Sequence, residues 1–373
     1  MLRDSVRKMM DSIAKPEYIR RLDREQAFPD EVYDAWVQMG LLRMPFPEEY
    51  GGLGGNAIDM MIIAEELSRK GYDFYSSYAA AAFTGQTILR MGSEEQRRYW
   101  LPRLFSGEIK MSTSMSEPQA GSDVGALRTR AKREGDHWVI NGQKLWATGA
   151  GAKRNVISVY VITDPKAHYR KGMSLFLVEN DAQGVELRKL DMLGRRCVGT
   201  YEIFFTDVQL HDDRLVGGEN KGWDCVLSGF QYERLTSAAG YYGCSQTCID
   251  MALQYAKERK QFGRPIGSNQ AIAHMLADMQ TELDASRVLT WRAAWMLASG
   301  HDAVREIAQA KLLGSETYVK IASMCMQIFG AYGYSMEFDM QRYFRDSRSV
   351  TIGAGTSQMQ RNLIARLMGL KVQ

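Results

Sequence analysis

A chain of 373 residues with 45% hydrophobic content is long enough for roughly two or three domains with sizeable cores. Its 47 basic and 44 acidic residues leave a net charge of only +3 and are scattered, with no Lys/Arg block able to neutralise a run of phosphates, so nucleic acid is excluded as a partner. The N-terminal MLRDSVRKMMDSIAK has no apolar core followed by a small-residue cleavage site, and no segment reaches about 18 uninterrupted apolar residues; the expectation is a soluble, cytoplasmic protein without membrane insertion.

Cys197, Cys225, Cys244, Cys248 and Cys325 read as free thiols of a reducing compartment. Cys244 and Cys248 lie one helical turn apart, with no His or further Cys to complete a shell. His137, His168, His211, His274 and His301 are isolated, so no metal site is expected.

Up to about residue 112 the pattern is helical, with Asp30 to Leu41 and Ile58 to Lys70 separated by Pro and Gly. The connector PEEYGGLGGNA places Gly52, Gly54 and Ala57 at a dinucleotide-loop spacing, but Pro45, Pro47, Glu48 and Glu49 precede it where a strand is needed. It reads as a flexible helix-to-helix connection. From about 113 to 222 the texture changes to β-rich runs: HWVINGQKLWATG, NVISVYVITD, GMSLFLVEN and TYEIFFTDVQL. Asn141-Gly142 between apolar flanks is a hairpin-turn signal, and Tyr201, Ile203 and Phe205 alternate as in a strand buried on one face. A small β-barrel or sandwich is expected. From 223 onward the helical period returns: Val304, Ala308, Leu312, Ser315, Val319, Ala322, Met326 and Phe329 step by three or four, and with Gln270 to Ala298 they predict long antiparallel helices in a bundle. The fold class is α+β, in three domains at 1–112, 113–222 and 223–373.

Certain segments carry more than packing requires. MSEPQAGSD, Met115 to Asp123, is a non-helical turn offering backbone N–H groups and the hydroxyls of Ser116 and Ser122 to a polar ligand. LWATG supplies an aromatic wall, Trp146, and a hydroxyl, Thr148. KERKQFGRPIG ends a basic helix in a Gly-Pro break, which suits either an anion such as a pyrophosphate or plain solvation. TIGAGTSQMQRNLIAR leads a Gly-rich loop into the last helix, as loops that cap helices and hold phosphates do. In GFQYERLTSAAGYYG, Glu233 and Arg234 open an otherwise apolar and small-residue stretch; such a glutamate commonly just complements a helix dipole.

With these motifs in this order, the chain resembles the acyl-CoA dehydrogenase family over nearly all of its length. EPQAGSD, NGQKLWATG, ERKQFGRPIG, QIFGAYGY, RYFRD and GAGTSQMQR carry the match. The resemblance implies a flavoprotein with a helical N-terminal domain, a middle β domain and a C-terminal four-helix domain. FAD would lie at their junction, usually in a homotetramer, with an electron-transfer flavoprotein as acceptor. It further implies that Met115, Ser116, Gly121, Ser122, Trp146 and Thr148 line the flavin, that Thr356 and Gln358 help hold it, and that Arg259, Phe262, Gln327 and Gly330 reach the FAD of a neighbouring subunit. Ser122, Gln231, Arg234, Ala354 and Gly355 would meet the acyl-CoA, although Gln231 stands where many relatives carry an aspartate. The departure lies in IGAGTS, where Ala354 replaces the glutamate base of the commoner Y-E-G-T-S pattern; alanine cannot take a proton. Isovaleryl-CoA and long-chain acyl-CoA dehydrogenases place the base immediately before the arginine of the earlier helix, which here is Glu233. The expected activity is α,β-dehydrogenation of an acyl-CoA. Its rivals are the same scaffold run as an enoyl-CoA reductase, similar to crotonobetainyl-CoA reductase, and a flavin-binding protein without turnover.

Overall fold

The computed structural model describes residues 1–372. The N-terminal layer is built from α1 (Leu2–Ile13), α2 (Pro16–Glu25), α3 (Asp30–Gln38), α4 (Ala57–Ser68), α5 (Tyr72–Met91) and α6 (Glu94–Phe105). Local chemistry fixes their starts. Asn56 accepts from the Ile58 N–H at 2.8 Å while Asp59 accepts from the Asn56 N–H at 2.9 Å, and Ser93 with Gln96 repeats this reciprocal cap on α6. The connector ahead of α4 is not flexible. The N–H groups of Gly52, Gly54 and Gly55 donate to Pro47 O, Phe46 O and Met44 O at 2.8–2.9 Å. A Cβ at Gly52 would fall 2.0 Å from Phe46 O, so its glycine serves close packing.

The middle layer contains β1 (Lys110–Ser114), β2 (Arg130–Glu134), β3 (His137–Thr148), β4 (Asn155–Ile162), β5 (Met173–Glu179), β6 (Val185–Leu190), β7 (Thr200–His211) and β8 (Leu215–Val216). Among the described residues they form an eight-stranded sheet in the order β6-β7-β3-β2-β4-β5-β8, with β1 paired parallel to β4. Buried along its whole length, β4 splits by the two-residue period. Ile157, Val159 and Val161 face the core enclosed by the sheet, with Trp138, Phe176 and Ile203, whereas Val156, Tyr160 and Ile162 join the helical core.

The hairpin expected at Asn141-Gly142 is not there. β3 runs straight through these residues, with a register shift against β7 between Ile140 and Gly142. Asn141 instead clasps Asp207 across the strands: its side-chain amide donates to Asp207 Oδ1 at 2.9 Å, and its carbonyl accepts from the Asp207 N–H at 3.0 Å. Gly142 lies where a Cβ would come 2.7 Å from Thr129 Cα. The β2–β3 turn is made by Gly135 (φ +66) and Asp136, on which β2 pairs back from Glu134 to His137.

The C-terminal layer packs α7 (Gly222–Glu258), α8 (Gln270–Ala298), α9 (Val304–Phe329) and α12 (Ser357–Leu367) into a bundle, with α10 (Ala331–Tyr334) and α11 (Met340–Val350) between the last two. The hairpin of β9 (Lys260–Gln261) and β10 (Arg264–Pro265) follows α7. α7 also lies against α4 and α5, bringing the bundle onto the N-terminal layer. Small residues allow that approach. A Cβ at Gly229 would meet the Phe83 ring at 2.4 Å, and one at Gly243 would meet Ser68 Oγ at 2.1 Å.

Candidate active site

Glu233 sits where α7 crosses α5, one turn beyond Gly229. Its carboxylate lies deep within protein, while the residue as a whole is half-buried. Burial raises its pKa, while the nearby charges of Arg234, Lys311 and Arg195 work against that rise. The adjoining turn is pinned by Tyr75, whose hydroxyl lies 3.0 Å from both Thr236 Oγ1 and Ser237 Oγ. Arg234 packs its guanidinium 4.9 Å from the Phe230 ring centroid. Its Nε is buried without a protein partner, and burial lowers its pKa while Glu233 raises it.

The loop after α11 comes to this turn. Ala354 has φ +54 and Gly355 φ +83, so the backbone turns left-handed at both. Buried Lys311 of α9 donates to Val350 O at 3.0 Å and Gly355 O at 2.8 Å, and buried Gln360 donates to Gly355 O at 3.1 Å and Ala354 O at 3.4 Å. Thr356 caps α12 by accepting from the Met359 N–H at 3.1 Å. Gln358, one position past the cap residue's neighbour, is exposed.

A second group of expected residues gathers on the middle layer. Lys144 is fully buried in β3 and donates at 2.8 Å to both Met115 O and Glu117 Oε1, while the Leu145 N–H donates to Ser116 O at 2.9 Å. This binds MSEPQAGSD to LWATG. Burial opposes ionisation of Glu117, but Lys144 and the Thr129 and Arg128 N–H groups overcome it and hold the carboxyl at about 2. At Lys144 burial outweighs pairing and lowers the ammonium to about 8; the carboxylate, with the larger donor set, is the more firmly charged partner. A second register shift in β3, between Lys144 and Ala147, puts Trp146 at φ +66 and leaves it 55% exposed. Bulges re-aim side chains in this way. Gly121 and Ser122 are exposed at the end of the neighbouring turn, and Thr148 is half-buried.

The third group stands apart in sequence and in contacts. Arg259 ends α7 with its guanidinium 5.5 Å from the Tyr332 ring centroid, and Tyr255 stacks on Phe329 at 4.4 Å. Phe262 is fully exposed at φ +51, and Gln327 and Gly330 are exposed at the end of α9. Within one chain the rings beside Arg259, Gln327 and Gly330 pack on one another.

Family models match the whole architecture: the acyl-CoA dehydrogenase N-terminal domain over residues 1–108, the middle domain over 112–208 and the C-terminal domain over 220–369. The chain is 38% identical over 366 residues to a probable acyl-CoA dehydrogenase, YngJ, of Bacillus subtilis, covering 97% of this chain and 96% of that one. It belongs to the acyl-CoA dehydrogenase family. A 3-(aryl)acrylate reductase of Clostridium sporogenes is 34% identical over 96% of both chains. The solved glutaryl-coenzyme A dehydrogenase–glutaryl-CoA complex superposes with a TM-score of 0.95 at 32% identity, over 100% of this chain and 95% of that one.

Members of this family are oxidoreductases acting on CH–CH bonds, and FAD is the cofactor that membership assigns. The residues present fit it. Trp146 stands clear as an aromatic wall, and at exposed Gly121 even a Cβ would meet nothing within 4 Å, which leaves the turn open to a large ligand. Among the described residues no group of three or more His, Cys, Asp or Glu could hold a metal, all five cysteines are free and buried, and no helix is long and apolar enough to cross a membrane. Sequence reasoning missed Lys311, Lys144, Glu117 and Gln360 as organisers of the site. A signal existed for Lys311: it lies three residues after Ala308 and four before Ser315, a lone cation on the apolar stripe of α9.

Proposed function

We propose that this chain is an FAD-dependent acyl-CoA dehydrogenase in which the Glu233 carboxylate removes the α-proton of an acyl-CoA thioester, giving the trans-2-enoyl-CoA. The observation that carries the reading is the setting of Glu233: a deep carboxylate with its pKa raised by burial, next to Arg234, whose guanidinium meets the Gly355 end of a loop in which Ala354 offers no side-chain base. A base with a raised pKa is stronger at neutral pH than a solvated glutamate. Bound FAD supplies the hydride acceptor, its N5.

Glu233 would hold the abstracted proton. The Ala354 N–H, presented by the left-handed loop, would donate to the thioester oxygen as enolate charge develops there. Arg234, Gln231, Ser122 and Gly355 would line the path of the thioester and its CoA. Trp146, Met115, Ser116, Gly121, Thr148, Thr356 and Gln358 would enclose the flavin and keep water from it. We further read the chain as a cytoplasmic homotetramer, with folding units at 1–112, 113–222 and 223–373, that passes electrons to an electron-transfer flavoprotein. The five free, buried thiols support a reducing compartment.

A second reading runs the same geometry in reverse, with protonated Glu233 delivering its proton to the α-carbon of an enoyl-CoA. The 34% identity to the 3-(aryl)acrylate reductase favours it. One anaerobic experiment separates the readings. Acyl-CoAs of straight and branched chain are mixed with the oxidised holoprotein, and enoyl-CoAs with the reduced one. Bleaching of the flavin by an acyl-CoA supports the dehydrogenase; fast reoxidation by an enoyl-CoA without bleaching by any acyl-CoA supports the reductase. Silence in both arms supports a flavin-binding protein without turnover.

A further inference from the structure

We propose that Lys311 is a positioning residue for this reaction, its buried ammonium fixing the Ala354–Gly355 backbone where that loop meets the Glu233–Arg234 turn. The inference rests on the reading of Glu233 as the base.

Lys311 is wholly buried in α9, and its Nζ reaches Val350 O and Gly355 O, the two ends of the loop that contains Ala354. Holding both ends fixes the left-handed turn at Ala354 and with it the direction of the Ala354 N–H. Mechanical tethering alone does not require a cation there. Gln360 already donates to Ala354 O and Gly355 O, and Arg361 clamps α12 to α9 through a two-pronged pair with Glu316 at 2.7 and 2.8 Å. A neutral donor could therefore complete the loop without the cost of desolvating an ammonium. The charge becomes intelligible at Glu233.

The charged groups whose fields act on Glu233 are Arg234 on its own helix, Lys311 on α9 and Arg195 on the β6–β7 connection, and the nearby titratable groups on α5 and β4 are Tyr72, Tyr75 and Tyr160. Lys311 in turn faces Glu233, Arg234 and Glu316, and its pKa is lowered to about 8, chiefly by burial. Lys311 is thus the group that both grips the loop and adds its positive field at the carboxylate. As a positive neighbour it lowers the pKa of Glu233, keeping part of the carboxylate ionised against the rise that burial imposes.

The test compares Lys311→Met, which keeps an unbranched apolar stem, and Lys311→Gln, which keeps donors but no charge, with the wild-type holoenzyme. FAD content, melting temperature, kcat, KM, the acidic limb of the kcat profile and hydrogen exchange at the Ala354 and Gly355 amides are measured. For Lys311→Met we expect unchanged FAD content and KM, about a 10²-fold fall in kcat, faster exchange at both amides and an acidic limb moved to higher pH. For Lys311→Gln we expect slow exchange and part of the rate to return while the limb stays displaced. A FAD-loaded variant with the wild-type limb and rate overturns the proposal, as does a rate lost only in proportion to FAD. Should Lys311→Met not fold, the limb of Lys311→Gln decides alone. If wild type bleaches with no acyl-CoA and turns over no enoyl-CoA, the reading of Glu233 has failed instead, and the amide exchange still reports whether Lys311 holds the loop.

Discussion

A Cβ on Gly355 would stand 3.6 Å from Nη2 of Arg234 and 2.8 Å from Nε2 of Gln360. The loop that ends in GTSQ thus lies directly over the turn of α7 that carries Glu233. Gly355→Ala should strain this junction twice. The φ of +83 costs an L-residue roughly 1–2 kcal/mol, and the methyl must displace the Gln360 amide that bonds the loop. The expected outcome is a modestly lower melting temperature with a larger fall in turnover, measured by thermal unfolding and steady-state kinetics on FAD-loaded protein.

Glu233→Gln separates chemistry from stability. Removing a general base typically costs about 10²- to 10⁴-fold in rate. Burial raises the folded pKa of Glu233 above its unfolded value. A carboxyl shifted in that direction favours the fold while protonated, and the fold loses stability as pH rises from the unfolded through the folded pKa. The glutamine has no such penalty, so at about pH 8 its melting temperature should equal or exceed that of wild type while activity collapses. In wild type kcat should rise with pH as Glu233 ionises, and the variant's residual rate should lack that limb. A variant that reduces its flavin with substrate as fast as wild type in stopped flow would show that the base lies elsewhere.

The Lys144–Glu117 pair predicts acid sensitivity in the MSEPQAGSD turn. Glu117 is held at about 2, below the roughly 4.3 of an unfolded glutamate, so its contribution to stability is present above that unfolded value and is lost as pH falls toward 2. Lys144→Met strands a buried carboxylate, which typically costs about 3–5 kcal/mol, and frees Met115 O. Thermal unfolding against pH should show a lower melting temperature at neutral pH, a deficit that shrinks as acid protonates the stranded carboxyl, with weaker FAD retention.

The elements legible in the sequence are those with an uninterrupted period. The apolar steps from Val304 to Phe329 coincide with α9, and the alternation through Tyr201, Ile203 and Phe205 coincides with β7. Asn141-Gly142 misled because the same dipeptide that makes a turn also suits a bulge, where Asn141 bonds Asp207 and the glycine yields room to Thr129. Glu233 was legible only by contrast with Ala354, two residues 121 apart in a chain whose fold brings their segments together. Lys311 and Gln360 act on backbone carbonyls, and no side-chain motif records which carbonyl a buried donor will find.

The assembly can be tested at one residue. Phe262 and Gly263, at φ +51 and +77, are the two central residues of the hairpin in which Gln261 pairs with Arg264. Both angles positive is the geometry of a type I′ turn, which favours Asn-Gly and penalises an aromatic at the first position. The Phe262 ring is fully exposed, so within one chain it returns nothing for that strain. A neighbouring subunit's flavin site, as the family resemblance implies, would account for it. Phe262→Asn should therefore leave the single chain as stable or slightly more stable, because the new residue suits the turn. The same change should loosen FAD and the oligomer together. Sedimentation of the holoprotein and the FAD retained after gel filtration measure this, with Arg259→Ala as the companion variant on the same surface. A Phe262→Asn protein that keeps wild-type flavin and assembly would assign the ring to another partner.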